Sequence, residues 1–273
     1  MGRALSPLRY PGGKGQMYDY IVDLIKQNNL IDCHYIEPFA GGAGVAIKLL
    51  QEGYVRKITI NDFDRSIYAF WHSILNNTSQ FIEKIHETEV SITEWHLQKS
   101  IQSNKVEAGL LELGFSTFFL NRTNRSGILK AGPIGGLEQK GNYKLDCRFN
   151  KDRLAKLILQ ISQHKHNIEL CNLDAKIFIE NVNEEDSFWF IDPPYYQKGK
   201  DLYVNFFNHE DHKVLSETID IYLERKPWII TYDICESIYD FYKHLNCEVL
   251  SLNYSVQIKK KSSEYMFYKN IIV

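Results

Sequence analysis

The sequence predicts an α/β protein: a sheet of mainly parallel strands, interrupted by an inserted, mainly helical domain that carries a β-hairpin. Three observations predict it. Residues 34–64 read as strand, glycine-rich turn, helix and strand. Strand-like runs then vanish between 65 and 148, and they return from 168 to the last residue. The expected organisation is therefore a sheet domain made of 1–64 plus 149–273, with 65–148 inserted into it.

Each element has a local reason. In residues 14–29, Met17, Tyr20, Ile21, Leu24 and Ile25 recur at the spacing of one helical face. HYIEPF (34–39) predicts a short strand running into a glycine-rich turn, and 43–50 a helix with Val45, Ile47, Leu49 and Leu50 apolar. KITINDFD (57–64) alternates Ile58 and Ile60 with Thr59 and Asn61 and ends in acids. Residues 65–120 read as helices, with Phe118 and Phe119 in a core. Residues 121–150, rich in Gly, Asn, Lys and Arg, read as turns around a hairpin. Asn150 caps an amphipathic helix, KDRLAKLILQIS, and Asn208 caps another across 209–226. IELCNL (168–173), FWFID (188–192), PWIITYD (227–233), CEVLSL (247–252) and YMFYKNIIV (265–273) supply the remaining strands. Trp71, Trp95, Trp189 and Trp228 fit core positions.

Composition narrows the class. Of 273 residues, 44% are apolar and 24% charged, which suits a globular chain and argues against disorder, collagen and coiled coil. No apolar run reaches 18 residues, so no membrane span is expected, and the polar N-terminus lacks a secretory signal. Five scattered cysteines form no CxxC pair, which predicts neither a disulfide framework nor structural zinc, and a cytoplasmic location. The net charge of −2 argues against nonspecific coating of nucleic acid but allows a local basic face.

Two motifs carry chemistry. Glu37-Pro38-Phe39-Ala40-Gly41-Gly42-Ala43-Gly44 lies between strand and helix, where glycines let a ligand approach the backbone. A carboxylate at Glu37 suits a cationic group, such as an amino-acid ammonium, better than phosphates. Asp62 ends the next strand 18 residues after Gly44, where an acid reaches ribose hydroxyls. The second motif is Asp192-Pro193-Pro194-Tyr195, after a strand of buried character. The exocyclic amine of a nucleobase is a weak nucleophile, because its lone pair is delocalised into the ring. The Asp192 carboxylate and a rigid Pro193 carbonyl could accept both N–H hydrogens while the nitrogen rehybridises. Tyr195 could stack on the base, worth roughly 1–3 kcal/mol. A third feature is basic. Arg122 and Arg125, three apart, would share a face on one helical turn. With Asn124, Lys130, Lys140, Lys144 and Arg148 they could form a DNA-reading hairpin, and Lys259-Lys260-Lys261 could meet phosphates.

SPLRYPGGK (6–14), EPFAGGAG (37–44), Asp62, FLNRTNRSG (119–127), Asp174 and DPPY (192–195), in this order, resemble the Dam-like, α-group DNA adenine-N6 methyltransferases over nearly the whole chain. The resemblance implies a Rossmann-like sheet, S-adenosylmethionine as methyl donor and an inserted target-recognition domain. By position it implies that Tyr10 and Lys14 line the cofactor pocket. Glu37 and Phe39, Ala40 and Gly41 would face the methionine part, Asp62 the ribose and Asp174 the adenine edge. Asp192 and Tyr195 would meet both the cofactor region and the flipped target. No metal is implied. Double-stranded DNA is the expected partner, with a cognate restriction endonuclease beside it, and the expected state is a monomer or weak dimer. Cytosine-N4 methylation and a catalytically silent, sequence-specific DNA-binding module remain as alternatives.

Overall fold

The computed structural model describes residues 6–9, 14–197, 207–256 and 258–273, with backbone only across 252–262. The described chain divides into two compact units. One holds residues 14–64 and 167–273. The other holds residues 6–9 and 65–166.

The first unit is built on one sheet. Its strands are β1 (Cys33–Glu37), β2 (Val55–Asn61), β3 (Ile168–Cys171), β4 (Ser187–Ile191), β5 (Trp228–Asp233), β6 (Asn246–Val256) and β7 (Ile258–Lys269), in the order β3-β2-β1-β4-β5-β7-β6. The first five are parallel, while β7 runs antiparallel to both β5 and β6. This is the Rossmann order 3-2-1-4-5, closed by an antiparallel pair. Every residue of β1 and β4 is buried, as central strands covered on both faces require. Ile36, Trp189, Ile191, Trp228, Ile230 and Phe267 pack with Phe178, Leu215 and Ile219 from helices. The strand order reverses between β1 and β4, so their carboxyl ends flank the crevice where such sheets bind ligands. The helix at His209–Tyr222 opens with the expected Asn208 cap, completed by Asp211 in a reciprocal capping box.

The second unit is helical. Its elements are α3 (Arg65–Asn76), α4 (Thr78–Glu87), α5 (Ile92–Ser103), α6 (Leu110–Thr123) and α7 (Lys151–Ser162), following α1 (Tyr18–Gln27) and α2 (Gly44–Gln51) of the sheet unit. From Leu113 to Thr123 every residue of α6 is buried, the mark of a central helix. A Cβ on Gly114 would collide with the Ala69 carbonyl oxygen, so glycine permits the close approach of α6 to α3. Phe70, Phe81, Phe115, Phe118, Phe119 and Phe149 form its aromatic core. The unit runs past the expected boundary at 148, because α7 buries Leu154, Ala155, Ile158 and Ile161 and Lys151 donates to the His86 carbonyl at 2.8 Å. In place of the expected hairpin, 121–148 holds 3-10 turns and one isolated antiparallel bridge, Asn124 with Pro133. Left-handed backbone at Ser126 (φ 56°) and Gly127 (φ 77°) turns the chain before a ladder can extend.

Candidate active site

The site begins at three acids on the carboxyl ends of adjacent strands. Glu37 ends β1, Asp62 follows β2 and Asp192 follows β4. Burial pushes Glu37 up to about 8, and the nearby Asp192 charge adds to the effect. Burial likewise pushes Asp62 up to about 7, against backbone N–H groups that favour its charged form. It pushes Asp192 up to about 6, with the Lys14 ammonium opposing. A sheet edge carrying such carboxyls fits a cationic ligand, which would hold them ionised.

The glycine turn is shaped by these groups. Gly41 (φ 47°) and Ala43 (φ 43°) are left-handed, and the Gly41 N–H donates to Asp62 Oδ2 at 2.9 Å. Asp62 Oδ1 takes the Asp64 N–H at 2.9 Å. Phe39 is half-buried against the edge of Phe207, and Ala40 and Gly41 are buried. Asn61 ties three strand ends together: Nδ2 donates to the Pro38 and Leu173 carbonyls at 3.0 Å each, and Oδ1 accepts the Leu173 N–H at 2.9 Å. Asp174 follows directly and caps the helix Ala175–Asn181 through the Lys176 N–H.

Around Asp192 the two carboxylate oxygens differ. Oδ1 receives Lys14 Nζ at 3.2 Å and the Thr231 hydroxyl at 2.9 Å. No hydrogen bond to Oδ2 is found among the described residues, and the side chain keeps 24% of its surface exposed. Pro193 is buried and Pro194 half-buried. Tyr195 is buried, and its hydroxyl donates to Glu264 Oε1 at 2.6 Å. Lys14 reaches Glu264 Oε2 at 2.7 Å and the Tyr195 oxygen at 3.3 Å. Just beyond, the Tyr196 and Gln197 N–H groups donate to the two oxygens of Asp233, at 2.9 and 3.0 Å.

The basic candidates divide. Arg122 is buried on the last turn of α6, its Nε without a hydrogen-bond partner among the described residues. Its charge lies close enough to those of Arg9, Arg153 and Arg148 for them to add to the desolvation that lowers it to about 10. None of these four arginines makes an ion pair among the described residues. Arg9 is held by Asn121, which accepts its N–H at 2.7 Å and donates to its carbonyl at 2.8 Å. Gly127 permits this docking, since a Cβ there would collide with the Arg9 carbonyl oxygen.

Arg125 does not share a helical face with Arg122, because α6 ends at Thr123 and Asn124 is extended. Asn124 leaves the set of base-reading candidates: it is fully buried, accepts the Trp95 indole N–H at 2.7 Å and donates to the Ile128 and Leu129 carbonyls. Arg125 and Lys130 are exposed, while Lys144 spends a donor on the Gln139 carbonyl and Lys140 pairs with Glu138. Tyr10 and the side chains of Lys259, Lys260 and Lys261 lie outside the described residues.

Residues 10–258 match the family of D12 class N6 adenine-specific DNA methyltransferases. The chain belongs to this family. A relative, the Type II methyltransferase M.MjaIII of Methanocaldococcus jannaschii, is 26% identical over 203 residues, 69% of this chain and 68% of that protein. Solved structures with weak overall similarity include a precorrin-6y C5,15-methyltransferase from Geobacter metallireducens (TM-score 0.40, 9% identity, 93% of this chain and 87% of that one). Another is an rRNA methylase from Streptococcus thermophilus (TM-score 0.39, 11% identity, 93% and 94%).

For the methyltransferase, the roles of four polar residues on the strands escaped sequence reasoning: Asn61, Thr231, Asp233 and Glu264. A signal existed for Glu264. It shares the register of buried Met266 on β7, a lone acid where an apolar residue is expected.

Proposed function

We propose that this enzyme transfers the methyl group of S-adenosylmethionine to N6 of an adenine extruded from double-stranded DNA. The observation that carries the reading is the asymmetry of Asp192, with Oδ1 held by Lys14 and Thr231 and Oδ2 left to a substrate. When bound, S-adenosylmethionine supplies an electrophilic methyl on a sulfonium. Glu37, Phe39, Ala40 and Gly41 would hold its methionine part, Asp62 its ribose and Asp174 its adenine. Asp192 Oδ2 would accept one N6 hydrogen and the Pro193 carbonyl the other, which lets the lone pair leave conjugation as it attacks. Tyr195 would stack on the base. As the N–C bond forms and the C–S bond breaks, N6 must shed a proton. A carboxyl pushed up to about 6 can take it and release it to solvent.

Arg9, Arg122, Arg148 and Arg153 would answer the phosphate backbone, with Arg125 and Lys130 near them in sequence. The relative's name, a Type II methyltransferase, favours a restriction-modification role, and with it we propose a nuclease as cognate partner and a cytoplasmic site of action. A monomer or weak dimer suffices for a single displacement.

Tritiated-methyl transfer to unmethylated plasmid DNA, followed by digestion to nucleosides, tests the reading. Label in N6-methyladenine is expected. Label in N4-methylcytosine would replace the target base, and a protein that binds DNA without transferring label would be a binding module. Single-molecule sequencing of DNA from expressing cells then gives the sequence context.

A further inference from the structure

We infer that Glu264 is a positioning residue for methyl transfer, acting on the reacting amine through Lys14 and Tyr195. This rests on the function proposed above. Glu264 lies on β7 and is 1% exposed, so it cannot itself meet a base. Its two oxygens are divided. Oε1 takes the Tyr195 hydroxyl at 2.6 Å and Oε2 takes the Lys14 ammonium at 2.7 Å. One rigid fork therefore fixes both neighbours of the reacting amine. The first is the ring that would stack on the base. The second is the cation that occupies Asp192 Oδ1 and so turns Oδ2 toward substrate.

The sheet makes this fork stiff. Glu264 pairs with Asp233 across β5 and β7, and Asp233 holds the Tyr196 and Gln197 amides. Thr231, two residues earlier on β5, holds Asp192. The loop after β4 is thus tied at Asp192, Tyr195, Tyr196 and Gln197 to two neighbouring strands. A displacement of about 1 Å at a reacting group costs on the order of 100-fold in rate, so losing the fork should act on the chemical step.

The groups facing Asp192 are Lys14, Glu264 on β7, Glu37 and Tyr35 on β1, and Tyr232 on β5. Glu264 raises the Asp192 carboxyl and Lys14 lowers it. Removing the Glu264 charge should therefore move the acid limb of the rate profile to lower pH.

The test compares wild type, Glu264→Gln and Glu264→Ala in single-turnover transfer of tritiated methyl to plasmid DNA. Calorimetric Kd values for S-adenosylmethionine, thermal melting and a pH profile accompany it. Glu264→Ala should slow the step about 100-fold with cofactor Kd within about threefold of wild type. Glu264→Gln keeps an acceptor for the tyrosine and should recover about tenfold of that loss, with its acid limb displaced downward. A Glu264→Ala rate within about threefold of wild type overturns the inference. So does equal loss in both variants accompanied by loss of cofactor binding, which would mark a packing role. If Glu264→Ala fails to fold, Glu264→Gln decides alone, and an unmoved acid limb rejects the inference. Wild type that transfers no label refutes the proposed function instead, whatever the variants do.

Discussion

The two units gather charge of opposite sign, and the two signs behave differently. The sheet unit gathers Glu37, Asp62 and Asp192 at neighbouring strand ends; the helical unit gathers Arg9, Arg122, Arg148 and Arg153. A buried carboxyl can escape the cost of burial by keeping its proton, and the three acids move toward neutrality at about 8, 7 and 6. An arginine has no such exit. Even lowered to about 10, Arg122 stays charged in any ordinary buffer. The acid edge can switch its charge over an ordinary pH range, whereas the arginine cluster keeps its own.

The largest expected effect tests the acid side. Asp192→Ala should reduce tritiated-methyl transfer by about 1,000-fold or more, within the range for removal of an acid–base group. DNA affinity measured by fluorescence anisotropy should stay within about threefold, since the arginines lie in the other unit. Turnover retained in this variant would remove Asp192 from the chemistry.

The next effect tests the basic side. Arg148 and Arg153 are exposed at their side chains, so alanine there should leave the fold intact. The double variant Arg148→Ala with Arg153→Ala should weaken DNA binding about ten- to a hundredfold at moderate salt, uniformly across sequences. The slope of log affinity against log salt should flatten by about 0.9 for each phosphate the variant no longer neutralises. An unchanged slope would leave the cluster without a backbone role.

A smaller effect separates ribose binding from turn support. Asp62 already serves the Gly41 and Asp64 amides, so its loss should be felt in cofactor binding before it is felt in DNA binding. Asp62→Ala should raise the cofactor Kd by about one to two powers of ten, the scale of a hydrogen bond to a charged group. Calorimetry with S-adenosylmethionine reads it, and an unchanged Kd would take Asp62 out of the cofactor site.

The contrast also shows what a sequence can display. The strands, Asn150, Asn208 and the acid ends of β1, β2 and β4 were legible because each is a local pattern: alternation, a cap, or an acid after an apolar run. Asp192 and Tyr195 were legible because four adjacent residues carry the motif. Glu264 was not, because it meets Lys14 across 250 residues, and only the folded chain brings a residue of β7 to one on the 3-10 turn before α1. The pairing of Arg122 with Arg125 failed for a related reason. Three-residue spacing implies a shared face only if the helix continues, and it stops at Thr123. Asn124 looked like a base-reading amide because polar residues in a basic loop suggest a surface. Its three hydrogen bonds to Trp95, Ile128 and Leu129 instead make it the pin of that loop.

The finest distinction between the two regions is their response to pH. Glu37, Asp62 and Asp192 have folded values above their unfolded values, so the stability they contribute is complete below about 4. It is lost as pH rises through about 6, 7 and 8. The melting temperature of the free protein should therefore fall between about pH 4 and 8. Cationic S-adenosylmethionine should restore more of it at the upper end, where the carboxyls are ionised. Added sulfate, a dianion throughout this range, answers arginines that never discharge and should raise the melting temperature by a few degrees with little dependence on pH. Differential scanning calorimetry at three pH values with each ligand reads both trends. A cofactor shift that shrinks as pH rises would mean that the acid edge does not receive the cation. A sulfate shift that tracks pH as the cofactor's does would dissolve the distinction between the two clusters.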